Sequence, residues 1–215
     1  MNIDRFISSL NVGAYREPTD TVKKVGGHVQ GFSAPYLMSV LSLAVQHLDP
    51  NELYLEIGTH LGRTLIGAMV DNPTKSAVAV DNFSEFARTD TEQQLHANMA
   101  KFGINDRVAF FNEDCQNFLR NHEEYHGRIG VYFYDGNHDS EQGLEGLINA
   151  IPLLSPNAVI ILDDTSGEGI WKTVVDFVNA YWKQARLIFC MATINFPFPD
   201  INWHNGIMVI KWGNK

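Results

Sequence analysis

From Asn51 onward, short runs of β-branched and aromatic residues alternate with longer stretches of helical period, which commits the chain to an α/β fold on a largely parallel sheet. The apolar runs are Leu53–Ile57, Ala77–Val80, Val108–Phe111, Ile129–Tyr134, 158–162, 187–191 and 207–212, each a candidate strand. Helix-like segments at 64–70, 91–102, 117–124 and 141–154 separate the first five, and each is long enough to cross over between parallel strands. The last two runs are joined by 192–206, which is rich in Pro, Asn and aromatic residues and lacks a helical period, so a hairpin and an antiparallel edge are expected. Upstream, Ser33 is a candidate N-cap for a helix running through Leu48, with Pro35 in its first turn and Asp49 and Pro50 at its end.

A length of 215 residues favours a single domain, read as a mobile N-terminal cap segment over 1–32 and the domain proper over 33–215. Hydrophobic residues at 45% supply a core and exclude disorder for most of the chain. Sixteen Lys and Arg against 25 Asp and Glu give a net charge of −9, which repels a phosphate backbone, so no nucleic-acid partner is expected. Cys115 and Cys190 are the only cysteines, too few for a disulfide scaffold and wrongly spaced for a metal knuckle, and a reducing cytoplasm is the expected location. The opening MNIDRFISSL has no signal-peptide core and no apolar run approaches membrane-spanning length, so no membrane partner is expected either. The Lys23–Lys24 pair reads as solvated.

Ligands of an open parallel sheet bind at the carboxyl ends of the strands, so the residues that follow each run carry the information. The first end reads Glu56-Ile57-Gly58-Thr59-His60-Leu61-Gly62-Arg63-Thr64, a glycine turn opening a helix. Its two glycines do not match the G-x-G-x-x-G dinucleotide fingerprint, and Glu56 is badly placed for pyrophosphate but suits a cationic ligand. Asp81 follows the second run, 23 residues after Gly58, close to the spacing at which an acid accepts from ribose hydroxyls, with Asn82 beside it. Asp114, after the third run, has two readings, acceptor from an adenine amino group or cap of the next helix, and Cys115 offers a backbone N–H nearby.

Through Glu56 to Gly62, Asp81 and Asp114 in that order, the chain resembles the class I S-adenosylmethionine (SAM)-dependent methyltransferases over roughly residues 30 to 212. The resemblance implies a Rossmann-like seven-stranded sheet in the order 3-2-1-4-5-7-6, last strand antiparallel, with helices on both faces. It also implies SAM as cofactor, with the methionine end over the turn of Gly58, Thr59, Gly62 and Thr64, ribose on Asp81 and adenine near Asp114. Glu113 stands where many members carry glycine.

The fourth run ends in Asp135-Gly136-Asn137-His138-Asp139 and the fifth in Asp163-Asp164-Thr165. Carboxylates gathered in a partly dry cleft either raise their pKa values or bind a divalent cation, and an all-oxygen set suits Mg²⁺, Mn²⁺ or Ca²⁺. Helix capping by Asp139 and Asp164 is the alternative. These residues resemble the metal-dependent O-methyltransferases, the macrocin-type and related sugar enzymes more closely than catechol O-methyltransferase. That comparison implies Asp135, Asp163 and Asp164 as metal ligands, Asp135 also beside the cofactor, and His138 as general base. A position before a helix N-terminus is expected to keep His138 neutral.

Weaker expectations place Trp171, Trp203 and His204, with Phe196 and Phe198, around a substrate pocket. His60 and Arg63 are expected to be exposed and Cys190 to be a core thiol. The function these readings converge on is SAM-dependent methylation of a hydroxyl on a small molecule, assisted by Mg²⁺. The alternatives are a metal-independent methyltransferase, an NAD-dependent oxidoreductase and a non-catalytic cofactor-binding module. Oligomeric state stays open, with the N-terminal cap a candidate dimer contact.

Overall fold

The computed structural model describes residues 1–85, 90–193 and 200–213. Its strands are β1 (Leu53–Ile57), β2 (Ala77–Val80), β3 (Val108–Phe111), β4 (Ile129–Tyr134), β5 (Leu154–Leu162), β6 (Ala185–Met191) and β7 (Ile207–Gly213). They form one sheet in the order β3-β2-β1-β4-β5-β7-β6, the order the resemblance implies. The first five are parallel neighbours, and β7 runs antiparallel to both β5 and β6. The helices are α1 (Ile3–Asn11), α2 (Asp20–His28), α3 (Pro35–Gln46), α4 (Arg63–Met69), α5 (Thr91–Lys101), α6 (Cys115–Asn121), α7 (Ser140–Ala150) and α8 (Glu168–Ala180).

Burial on both faces explains why the strands are unbroken apolar runs, and their alternation sorts them into two cores. Tyr54, Ala79, Val131, Phe133 and Ile161 face the layer of α1 to α5, while Leu55, Val80, Tyr132, Tyr134 and Leu162 face α6, α7 and α8. The N-terminal residues belong to the first core: Phe6, Val22 and Val25 are fully or almost fully buried, so residues 1–32 form helices packed on α3 and α4. Helix α3 is capped by Ala34 without a side-chain bond, not by Ser33, whose buried Oγ has no hydrogen-bond partner among the described residues, and it ends at Gln46. Strand β5 starts four residues earlier than its apolar run, because Ser155 and Asn157 carry it over a polar edge. Cys190 is exposed on β6, the edge strand, where alternation turns it away from the core, against the expectation of a buried thiol. No helix among the described residues is long and apolar enough to cross a membrane.

Candidate active site

The carboxyl ends of β1, β2, β3, β4 and β5 open on one cavity of about 530 Å³, within the roughly 300–1,000 Å³ of ligand pockets. Of the residues singled out in the sequence, Gly58, Thr59, Thr64, Asp81, Asn82, Asp114, Cys115, Asp135, His138, Asp164 and His204 line it. Glu56, Gly62, Asp163, Trp171 and Trp203 do not.

The glycine turn is held from beneath. Gly58 has φ +86, and a Cβ there would stand 1.9 Å from the Asp135 carbonyl oxygen, so the close approach of β1 to β4 admits no side chain. Gly62, in a left-handed conformation, is the N-cap of α4 and provides no side-chain bond. Glu56 supplies what the cap lacks. It is fully buried on the α4 side of β1, accepts from the hydroxyls of Tyr54 and Thr64, the latter at 2.9 Å, and also takes the Leu65 N–H. Burial pushes its carboxyl up to about 8 against those three donors. Glu56 therefore faces hydroxyl partners inside the fold and not a ligand's ammonium group. Thr59 also lines the cavity, and its buried Oγ1 has no hydrogen-bond partner among the described residues.

Asp81 accepts backbone N–H groups from His60 and Phe83, both at 2.6 Å and one on each oxygen, which leaves a second lone pair on each. Asn82 accepts from Ser84 N at 3.0 Å. Asp114 takes the capping role, accepting from Asn117 N at 3.0 Å as the N-cap of α6. Cys115 beside it is half-buried, and burial pushes its thiol up to about 11, so it forms a neutral wall.

At the ends of β4 and β5, Asp135, His138 and Asp164 bring one ligand atom each within 4.8 Å of one another. His138 Nε2 lies 2.9 Å from Asp164 Oδ2, and His204 Nδ1 lies 3.8 Å from Asp164 Oδ1. Asp163 is outside this group, a correction to the expected ligand set. Strand alternation sends its side chain to the same buried face as Ile161, where Oδ1 accepts from Asp164 N at 2.9 Å. Asp164 breaks that alternation with φ +53 and turns into the cavity. Asp139 caps α7 through Glu141 N and Gln142 N, whereas the Asp164 side chain caps no helix among the described residues.

The charges follow from these placements. Burial and the neighbouring carboxylates Asp163 and Asp164 hold Asp135 well above the usual carboxylate range. Burial also lifts Asp163, with Asp164 adding to it. Burial works to lift Asp164 too, but the His138 hydrogen bond and charge outweigh it and hold this carboxyl low. The same bond raises His138 above its ordinary value, where a helix end was expected to hold it down. The reason is local: Asp139 takes up the α7 terminus, and His138 turns to Asp164. His204 is lowered, by burial first.

These donors fit a divalent cation. Asp164 Oδ1, Asn205 Oδ1 and His204 Nδ1 are buried without a hydrogen bond among the described residues, and crowded carboxyls such as Asp135 release their protons when a cation replaces them. The mixed oxygen and nitrogen set differs from the all-oxygen set expected.

Some residues belong elsewhere or went unseen. Trp203 is packed among Tyr15, Tyr36 and Phe189, and Trp171 is exposed on α8. Phe196 and Phe198 lie outside the described residues. His60 and Arg63 are half-buried rather than exposed. Sequence reasoning missed Gln30 to Ser33, Gln142 and Asn205 in the cavity wall. It also missed Gly169, where a Cβ would stand 2.1 Å from the His138 carbonyl oxygen; no periodicity or motif marks any of them.

No curated protein matches the sequence. Among solved structures, the chain is similar to the O-methyltransferase TomG from Streptomyces achromogenes, involved in tomaymycin synthesis and solved with SAM (16% identity, TM-score 0.66, all of both chains covered). It is also similar to an O-methyltransferase from Bacillus cereus solved with S-adenosylhomocysteine (SAH) (19%, TM-score 0.65, 95% of this chain and 96% of that one). A third is the SAH-bound methyltransferase PaMTH1 from Podospora anserina (16%, TM-score 0.62, 96% of both). At these identities the likeness is one of fold. The methyltransferase domain family matches residues 55–165, just over half of the sequence, from within β1 to just past the end of β5, and the chain belongs to that family.

Proposed function

We propose that the protein transfers a methyl group from SAM to a hydroxyl of a small molecule, with a divalent cation, Mg²⁺ in the first instance, held by Asp135 and Asp164. The observation that carries this is the convergence of Asp135, His138 and Asp164 on a cavity that the glycine turn and Asp81 also line. When bound, SAM supplies a sulfonium methyl for in-line displacement and the cation supplies positive charge that lowers the proton affinity of the acceptor hydroxyl.

The chain's own residues have separable tasks. The free lone pairs of Asp81 suit ribose hydroxyls, and the unpaired Thr59 hydroxyl suits a polar group over the glycine turn. Asp164 accepts from Nε2 of His138, which fixes the tautomer and leaves Nδ1 to take the acceptor's proton. Asp135 and Asp164 bring the negative charge that a cation neutralises, and His204 and Asn205 offer polar contacts to the acceptor. Methyl transfer to a panel of phenolic, sugar and aliphatic hydroxyls, followed with labelled SAM on EDTA-treated protein across a Mg²⁺ series, tests the reading. Metal-dependent label in a hydroxyl product supports it, and turnover that ignores the cation removes the metal from it. Calorimetry that finds no SAH binding removes the transferase.

A further inference from the structure

Residues 1–32 lie outside the matched span, yet Gln30 to Ser33 form part of the cavity wall. Phe32 stacks on His60 of the glycine turn, with ring centroids 6.3 Å apart and planes at 13°, so this stretch lies over the turn. Helix α2 delivers it there and is fastened to α4 at both ends. At the outer end, Thr19 Oγ1 donates to Asp71 Oδ2 at 2.6 Å, just beyond α4, while accepting from Val22 N as the N-cap of α2. At the cavity end, Arg63, the first residue of α4, donates from Nη1 to the carbonyls of Val29 at 3.3 Å and Gly31 at 3.2 Å.

Val29 is the C-cap of α2, where carbonyls lack helical partners and the helix dipole is negative, so a guanidinium there gains both bonds and charge. Arg63 makes no ion pair among the described residues. It is the one lysine or arginine among the described lining residues, and it is committed to backbone carbonyls although acids line the same cavity. That is the arrangement of a clamp, not of a counter-ion.

We propose that Arg63 is a positioning residue that clamps residues 30–33 over the glycine turn, so that enclosure of the amino-acid end of the cofactor depends on it. The proposal rests on the methyltransferase reading only for its choice of ligand. The test compares wild type, Arg63→Gln, Arg63→Lys and, as a control at the outer end of α2, Asp71→Ala. Two readouts are taken: amide hydrogen exchange of the ligand-free protein, and calorimetry with SAH and with adenosine, which lacks the amino-acid end. For Arg63→Gln we expect exchange of the Val29 amide, which donates to the Val25 carbonyl at 2.9 Å, to quicken at least about tenfold with the sheet unaltered, the scale of a lost hydrogen bond to a charged group. SAH should bind about tenfold more weakly and adenosine as before, with Arg63→Lys intermediate and Asp71→Ala close to wild type for both ligands. Unchanged exchange at the Val29 amide, an equal loss for SAH and adenosine, or the same loss in Asp71→Ala overturns the clamp. Should wild type bind no SAH, the methyltransferase reading fails, and the exchange measurement still decides the clamp.

Discussion

Replacing Glu56 with Gln separates an internal brace from a ligand-binding acid, and the outcome is written in the pH dependence of stability. Glu56 is fully buried, and its carboxyl rises from 4.5 to about 8 chiefly through burial. A folded-state value above the unfolded one means that the folded protein binds the proton more tightly. The stabilisation is therefore complete below about 4.5 and is lost as pH rises through about 8. Each pH unit inside that window costs about 1.4 kcal/mol, so wild type should lose about 2–3 kcal/mol from this group between pH 5.5 and 7.5. Glutamine cannot titrate, and its amide can still accept from one of the hydroxyls of Tyr54 and Thr64 and donate to the other. The carboxyls near Glu56, those of Asp81, Asp135 and Asp163, are present in both proteins and largely cancel in the difference. Urea unfolding of both proteins at pH 5.5, 6.5 and 7.5 provides the measurement. The stability difference should move by about 2–3 kcal/mol in favour of Glu56→Gln across the range, with equal m-values. Two parallel stability curves would show that the buried carboxyl carries its charge at no cost, and the brace argument would fall.

In metal-free protein, the His138 ring should titrate above its ordinary 6.5 by NMR, and Asp164→Asn should return the midpoint downward, because the Asp164 hydrogen bond is the main cause of the rise. His138→Gln should cut methyl transfer about 10²–10⁴-fold with SAH affinity unchanged, the span of a lost general base, measured by single-turnover kinetics. Gly58→Ala should destabilise the fold by more than about 3 kcal/mol in urea unfolding, since φ +86 and the contact 1.9 Å from the Asp135 carbonyl must both be relieved. Gly169→Ala moves the His138 carbonyl from beneath and should lower kcat more than it weakens SAH, and a variant with wild-type kcat contradicts that.

What the sequence reveals and what it hides divide along physical lines. Strands buried on both faces must be apolar without interruption, so β1 to β4 are legible to the residue, whereas β5 reads short because its first half is a polar edge around Pro156. Helix α2 is illegible for the opposite reason. Gly26 and Gly27 stand in its last turn, each costing about 1 kcal/mol of helix propensity, and the helix forms through the tertiary burial of Val22 and Val25. At the site, the acids at the strand ends are legible as a set but their roles are not, because a role depends on direction. The alternation that places Glu56 on the same face as Tyr54 was available two residues upstream, and read with β1 it points to an internal partner. Thr64 on α4 could be joined to that pair only once the turn had closed. Asp163 and Asp164 make the same case more sharply. Adjacent carboxylates on a regular strand point to opposite faces, so the two were never equivalent, and the left-handed turn at Asp164 decides which of them faces the cavity. A motif of acids thus constrains the charge of a site, while backbone parity and its breaks decide which carboxylate meets the ligand and which braces the floor beneath it.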